Sequence, residues 1–190
     1  MTEDRKPPWP ISEINALDRE AFVARLGFLF EGSPWIAAEA WAARPFRDRA
    51  ALHRALCDAI ARAGDARQVA LIRAHPDLVG RAALARTLGG ASAGEQAAAG
   101  LEPDRLTPRE IARFEELNAA YRRRFGFPFV ICAREHKQAS ILAGFETRLR
   151  HDRKREIAVA IGEIGKIGYY RLLDVVVDDA AEGADGGRPA

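Results

Sequence analysis

The sequence contains only two cysteines, Cys57 and Cys132, among 190 residues. Two cysteines are too few for a disulfide framework in a chain of this size, so we expect both to be reduced core residues. Long apolar runs are also absent, since no stretch approaches the roughly 18–20 residues that a membrane span requires. The N-terminal segment carries charges and prolines where a secretion signal would be apolar. We therefore expect a cytoplasmic protein that does not bind a membrane.

The sequence also has few histidines and no phosphate-binding motif. The chain has four histidines, and none of His53, His136 and His151 has a histidine partner one helical turn away, so we expect no metal site. No glycine-rich loop of the kind that binds phosphate occurs. The net charge is only +2, and the densest basic cluster, 122–124, fits the solvated end of a helix. A helical nucleic-acid-binding protein that uses this cluster is a weakly supported alternative.

What the sequence has in quantity is alanine and leucine, with 48% hydrophobic and 29% charged residues. This composition is typical of a soluble, mostly helical protein, and the length suits one domain. Capping residues, prolines and apolar spacing predict helices over about 18–30, 33–43, 48–63, 65–74, 77–88, 92–100, 107–125, 137–150 and 154–177. We predict an all-α single domain of eight or nine helices over residues 12–177. A flexible segment, 1–11, precedes the domain, and a disordered tail, 178–190, follows it.

One arginine falls where an apolar side chain is expected. On a helical wheel, Arg171 lies between Ile164 and Ile167, inside the stripe that the last helix should bury. A buried guanidinium must be paired, hydrogen-bonded or directed at an anion, because an unpaired buried charge costs several kcal/mol. The spacing favours an internal salt bridge or a side chain that reaches the surface, and it leaves an anion-binding role open.

A histidine and a glutamate are further candidates. His75 precedes Pro76 at the predicted end of a helix, and the proline pushes it toward extended geometry, which turns the imidazole away from the helix axis. Ser92 and Glu95 have the S-x-x-E spacing of a capping box, and Gln96 follows them. Pattern alone favours a core or capping histidine and a capping glutamate. A proton-transfer histidine and a carboxylate that binds a polar substrate stay open.

Five segments, in order along the chain, carry a more specific signal. They are NALDREAFVARLGFLFEGSPWIAAEAWAARPF (15–46), LIRAHPDLVGR (71–81), SAGEQAAAGL (92–101), LNAAYRRRFGFPFVICAR (117–134) and RLRHDRKREIAVAIGEIGKI (148–167). Together they resemble the family of 2-oxo-4-hydroxy-4-carboxy-5-ureidoimidazoline (OHCU) decarboxylases, over residues 12 to 177. The His-Pro-Asp-Leu and Phe-Gly-Phe-Pro-Phe-Val-Ile-Cys motifs are the most distinctive. One departure is His151, where asparagine is common in the family.

The resemblance implies an enzyme, a carboxy-lyase that removes CO₂ from OHCU and forms (S)-allantoin, the third step from urate. It implies an all-helical homodimer that acts on a small molecule without a metal or an organic cofactor. The absence of a peroxisomal tail suggests a bacterial-type cytosolic enzyme. The alternative is a non-catalytic helical module that keeps the family pocket for ligand binding or regulation.

The resemblance also implies roles for individual residues. It makes His75, Glu95 and Arg171 catalytic, with His75 exchanging the proton, Glu95 fixing the imidazole or a substrate N–H, and Arg171 holding an anionic oxygen. The backbone of 129–133 is expected to pair with the imidazolone edge. The substrate-binding residues implied by the family are Pro76, Ser92, Glu95, Gln96, Phe129, Val130, Ile131, Cys132, Ala133 and Arg171.

Overall fold

The computed structural model describes residues 7–80 and 90–179. Within these ranges the chain forms nine α-helices. They are α1 (Ile11–Ala16), α2 (Arg19–Leu26), α3 (Trp35–Ala40), α4 (Arg49–Arg62), α5 (Gly64–Ala74), α6 (Gly90–Ala98), α7 (Pro108–Phe125), α8 (Gln138–Arg148) and α9 (Arg153–Val175). Short 3₁₀ helices lie at Gly27–Leu29, Trp41–Ala43, Pro103–Arg105 and Ala133–Glu135. The expectation of an all-α single domain is confirmed.

Several predicted helix ends are confirmed by their capping contacts. The carboxylates of Asp18, Asp48 and Asp152 each accept a hydrogen bond from the backbone N–H three residues later. Thr107 and Glu110 form a complete capping box at the start of α7. Gly126 ends that helix with a φ of 78°, in the left-handed region that glycine adopts without strain. These polar residues therefore fix where the helices begin and end.

The capping box predicted at Ser92 and Glu95 is wrong. Helix α6 already begins at Gly90, so Ser92 and Glu95 lie inside the helix, where both are buried. Inside a helix, two residues with the S-x-x-E spacing lie on one face, one turn apart. Ser92 and Glu95 have this arrangement in α6. Of the helix predicted over 77–88, residues 78 and 79 form a turn, and 81–88 lie outside the described residues.

Two short strands were missed by the sequence reasoning. β1 (Trp9–Pro10) pairs in parallel with β2 (Val176–Val177), and two residues are too few for strand periodicity to be visible. Trp9 and Pro10 belong to the segment 1–11 that we predicted as flexible. Beside this pairing, the backbone N–H of Arg49 donates to Asp178 (2.6 Å) and the Ser12 hydroxyl donates to Asp179 (2.7 Å). The N-terminal and C-terminal ends of the described chain therefore lie side by side, next to the start of α4.

Helix α9 is the central element of the fold and packs against α4 and α5. No helix among residues 7–80 and 90–179 combines the length and apolar character needed to cross a membrane. Gly168 on α9 allows the buried ring of Phe30 to approach the helix backbone, and a Cβ added there would lie 2.5 Å from Cζ of that ring. This close contact sets the distance between α9 and the segment that follows α2.

Replacing Gly168 with alanine should destabilise the protein, because the new methyl group overlaps the buried ring of Phe30, which must shift. Overpacking of this kind costs about 1–3 kcal/mol, which urea-induced unfolding measures. Gly162→Ala is the matched control, since nothing lies within 4 Å of a Cβ built on that position of the same helix. The control should be unchanged or up to about 1 kcal/mol more stable. Equal unfolding free energies for the two variants would contradict the packing argument.

Candidate active site

A cavity lies between the end of α5, helix α6, the segment 129–133 and helix α9. The cavity is narrow, with a volume of about 30 Å³, and about 360 Å³ of empty space lies within it and its opening to solvent. Its lining residues are His75, Pro76, Leu78, Ser92, Glu95, Gln96, Phe129, Val130, Ile131, Ala133, Ile167 and Arg171. The fold therefore brings together side chains that are up to 96 positions apart in the sequence, between His75 and Arg171.

His75 is the C-terminal cap of α5 and has extended geometry (φ −76°, ψ 142°), as expected before a proline. Its side chain is buried, with 6% of the residue exposed. Nδ1 lies 3.0 Å from the carbonyl oxygen of Leu71. A carbonyl only accepts, so Nδ1 carries the hydrogen and Nε2 of the neutral ring keeps its lone pair. Nε2 is buried and has no hydrogen-bond partner in the part of the chain that the structure describes.

The electrostatic surroundings keep this imidazole neutral. Burial is the largest influence and lowers the pKa of His75, although the Leu71 carbonyl and the charges of Glu31 and Glu95 act in the opposite direction. The charge of Arg171 also lowers it. At neutral pH His75 therefore presents a basic nitrogen to the cavity.

Arg171 is buried as the helical wheel predicted, with 3% of the residue exposed. Nε and Nη2 donate to the two carboxylate oxygens of Glu95, at 2.8 and 2.9 Å. The remaining N–H groups donate to Glu31 (3.2 Å), the Leu29 carbonyl (3.3 Å) and the Ser92 hydroxyl (3.3 Å). Burial by itself would lower the pKa of Arg171, but the hydrogen bonds and charges of Glu95 and Glu31 outweigh it and raise the pKa.

The hydrogen bonds of Arg171 include the internal salt bridge that the helical spacing favoured. A guanidinium has five N–H groups, and each of these donates to a protein acceptor. Arg171 therefore forms an internal salt bridge with Glu95. An anionic oxygen of a ligand binds it only by displacing one of these acceptors.

Gln96 and the turn after Pro76 form another side of the cavity. Oε1 of Gln96 accepts a hydrogen bond from the backbone N–H of Val79 (3.0 Å), so the amide NH₂ is left as the donor of that side chain. Val79 has a φ of 49°, which is strained for a β-branched residue. Asn118 donates to the neighbouring Leu78 carbonyl at 2.8 Å. Two side-chain amides thus hold this turn in place.

The segment 129–133 is held by a second buried ion pair. Nη1 of Arg148 donates to the Val130 carbonyl (2.7 Å), and its guanidinium lies over the Phe129 ring at 4.3 Å from the ring centre. Nε of Arg148 donates to Glu156 (2.9 Å), which is 0% exposed. His151, the departure from the family pattern, contacts the same carboxylate at 2.8 Å. Arg148 therefore positions the backbone that borders the cavity.

Cys132 is the one predicted binding residue that does not line the cavity. Its side chain is buried, and burial raises the pKa of its thiol to about 11. Its backbone N–H donates to Glu163 (2.8 Å). Because this N–H and the Val130 carbonyl already have protein partners, the segment 129–133 has fewer groups for a substrate than we expected.

Sequence reasoning missed three contributors to this site. Leu78 and Ile167 line the cavity, and Glu31 contacts Arg171 and Ser92 from outside it. Ile167 lies one helical turn before Arg171, so the wheel that placed Arg171 could have found it. Nothing in the local pattern around Glu31 indicates its contact with a residue 140 positions away.

A wider groove on the other side of α9, with about 820 Å³ of empty space, contains His53 and Cys57. Nε2 of His53 lies 2.9 Å from the Gly165 carbonyl and 3.4 Å from Sγ of Cys57. Since the carbonyl takes the Nε2 hydrogen, this nitrogen is not a base for the thiol. Burial also raises the pKa of Cys57, so the pair has no character of an activated nucleophile.

The basic cluster at 122–124 is partly used within the fold. Nε of Arg122 donates to the carboxylate of Asp77 (3.0 Å), and Arg124 donates to the His151 carbonyl (2.9 Å). These contacts weaken the nucleic-acid alternative. Within residues 7–80 and 90–179, no three His, Cys, Asp or Glu side chains form a group that could hold a metal ion.

Comparison with known proteins identifies the family. The profile of the OHCU decarboxylase family matches residues 15–173. This chain belongs to that family. It is 39% identical to the OHCU decarboxylase of Amia calva over 164 residues, covering 86% of this chain and 93% of the relative. The OHCU decarboxylase of Halalkalicoccus jeotgali is 35% identical over 167 residues, covering 88% and 92%.

A solved structure supports the same assignment. The crystal structure of an (S)-allantoin synthase superimposes with a TM-score of 0.67 and 26% sequence identity. The match covers 87% of this chain and 53% of that chain. OHCU decarboxylases are carboxy-lyases, so the cavity described above lies in the fold of a family of decarboxylating enzymes.

Proposed function

We propose that this chain decarboxylates 2-oxo-4-hydroxy-4-carboxy-5-ureidoimidazoline to (S)-allantoin in urate degradation. The support is its membership of the OHCU decarboxylase family and the likeness to an (S)-allantoin synthase. The observation that carries a catalytic role for the cavity is Nε2 of His75, a buried basic nitrogen without a hydrogen-bond partner among residues 7–80 and 90–179. A basic nitrogen of this kind is suited to receive a proton from a bound substrate.

The name of the substrate defines the chemistry that is required. Carbon 4 carries both the carboxylate and a hydroxyl and is saturated, so the ring double bond joins carbon 5 to nitrogen. When the bond from carbon 4 to the carboxylate breaks, CO₂ leaves and the electron pair of that bond forms a double bond between carbons 4 and 5. The electron pair of the former carbon–nitrogen double bond moves to the nitrogen, which takes up a proton from water. The hydroxyl then loses its proton and becomes a carbonyl, and carbon 5 gains a proton.

His75 is placed in this proposal as the group that moves the last proton. In its neutral form it accepts the hydroxyl proton at Nε2 and returns it to carbon 5 from one face, which gives a single enantiomer. The bond from Nδ1 to the Leu71 carbonyl keeps the same nitrogen directed at the cavity in both protonation states. The ring double bond of the substrate itself receives the electron pair, so the step is written without a cofactor.

The neighbouring side chains bind and orient the substrate. Glu95 offers carboxylate lone pairs to substrate N–H groups, and Gln96 offers its amide NH₂ to a carbonyl. Arg171 holds Glu95 and Ser92 in place rather than binding an anionic oxygen directly, because its five N–H groups have protein acceptors. This assignment differs from the direct anion contact that the family resemblance suggested.

Replacing His75 with asparagine should lower turnover by about 10²–10⁴-fold, because the proton-transfer group is removed. The substrate is generated from urate in situ, and the optical activity of the allantoin that forms is followed over time. The matched control is His136→Asn, a half-buried histidine that does not line the cavity. A His75 variant that keeps most of its rate would remove this residue from the mechanism. Wild-type protein that binds allantoin without accelerating its formation would favour the non-catalytic alternative.

The rate should depend on pH through the lowered pKa of His75. The neutral imidazole is the active form, so kcat/KM should stay level near pH 7 and fall only below pH 6.5, the ordinary pKa of histidine. Proton uptake inactivates the base, which gives the profile a single acidic limb. A profile of kcat/KM from pH 5 to 8 tests this, and a decline that begins above pH 7 would contradict a buried neutral base.

We further propose that the chain works as a homodimer in the cytoplasm, as the family resemblance suggests. Static light scattering should then give a mass of twice the 20.9 kDa of one chain. The mass of a single chain at all concentrations up to those used for the activity assay would contradict the dimer.

A further inference from the structure

Glu31 is a carboxylate of the site that the proposed mechanism does not use. It follows the 3₁₀ helix Gly27–Leu29 and is half-buried, with 29% of its side chain exposed. It does not line the cavity, yet its Oε2 accepts hydrogen bonds from two residues that do, Ser92 (3.3 Å) and Arg171 (3.2 Å). Glu31 therefore lies directly behind the cavity wall, where it contacts two of the side chains that face the substrate.

The direction of the hydrogen bonds at Ser92 is fixed by its neighbours. Nη2 of Arg171 lies 3.3 Å from Oγ of Ser92 and is able only to donate, so Oγ accepts this bond. The Ser92 hydroxyl donates to Oε2 of Glu31, so its single hydrogen is directed at that carboxylate. The hydroxyl has then used its donor and one lone pair, and its second lone pair is left for the cavity.

The other polar side-chain atoms of this cavity wall are also hydrogen-bond acceptors. Both oxygens of Glu95 are acceptors, and Nε2 of neutral His75 carries a lone pair. With Ser92 held as an acceptor, three side chains present lone pairs to the cavity. A substrate rich in N–H groups, such as one with a ureido group beside an imidazoline ring, matches this wall.

We propose that Glu31 is a positioning residue that determines substrate recognition, because it accepts the Ser92 hydrogen and so makes the Ser92 hydroxyl an acceptor for a substrate N–H. This inference rests on the proposed function for the identity of the substrate. Without an acceptor at position 31, the Ser92 hydrogen turns toward the cavity and opposes the substrate N–H. Binding is then weakened, whereas the proton transfer at His75 is not directly affected.

The test compares Glu31→Met, which removes the acceptor, with Glu31→Gln, which keeps an acceptor oxygen but removes the charge. Glu31→Met should raise KM about tenfold and leave kcat within about threefold, as expected when a bond made equally in the ground and transition states is lost. Glu31→Gln should stay within about twofold of the wild-type KM. The same KM for Gln and Met variants would show that charge, rather than hydrogen-bond direction, matters, and would overturn the proposal.

A double-mutant cycle with Ser92→Ala measures how much of the Glu31 effect passes through the Ser92 hydroxyl. If Glu31 acts through the Ser92 hydroxyl, Glu31→Met should change KM by less than about twofold when Ser92 is already alanine. An equally large effect in both backgrounds would overturn the proposal. The control is Glu39→Met, because Glu39 is a similarly exposed carboxylate (37% of the side chain) that pairs with Arg67 away from the cavity. It should leave KM unchanged.

Calorimetric binding of (S)-allantoin separates this inference from the proposed function. The affinities of the same variants should follow the KM pattern, with the Met variant weakened about tenfold and the Gln variant near wild type. If the wild-type protein shows no turnover, the proposed function fails, and the binding cycle still decides the role of Glu31. Wild-type protein that neither turns over nor binds (S)-allantoin would overturn both. Unfolding temperatures of all variants identify any that lose their fold. If Glu31→Met is one of them, Glu31→Gln measured with serine and with alanine at position 92 supplies the comparison.

Discussion

The buried ion pair between Arg171 and Glu95 is the interaction on which the arrangement of the cavity depends. Taking two opposite charges out of water costs several kcal/mol per ion unless geometry and additional hydrogen bonds compensate. Here the pair is bidentate, and Ser92, Glu31 and the Leu29 carbonyl satisfy the other N–H groups. The guanidinium thereby joins the last long helix, helix α6 and the segment after α2 at one point.

A second buried pair repeats this principle on the neighbouring wall. Arg148 and Glu156 are both buried. The paired guanidinium of Arg148 also donates to the carbonyl of Val130 and lies over the ring of Phe129. Buried ion pairs contribute little to stability compared with apolar packing, and the two pairs described here each join residues of different helices. The first pair lines the cavity and the second holds the segment 129–133 that borders it, which suits a site whose polar groups must stay in place.

His75 is held in a different way, by the backbone at the end of helix α5. Proline at position 76 ends helix α5 and pushes His75 into extended geometry, and the Leu71 carbonyl then accepts the Nδ1 hydrogen. This hydrogen bond assigns the tautomer, and burial keeps the ring neutral, as the lowered pKa of His75 indicates. In the proposed mechanism, proton transfer thus depends on the end of helix α5, whereas recognition of the substrate depends on the charged network around Arg171.

The sequence by itself determined the fold class, most helix ends and the burial of Arg171, because apolar spacing and capping residues act within one or two helical turns. Family resemblance added the candidate residues, and all except Cys132 line the cavity. Only the tertiary structure decided the partners of these residues. Ser92 and Glu95 have the spacing of a helix cap yet face Arg171, and Glu31 meets a side chain 140 positions later. Such contacts depend on how distant helices pack, and no local pattern of side chains encodes that geometry.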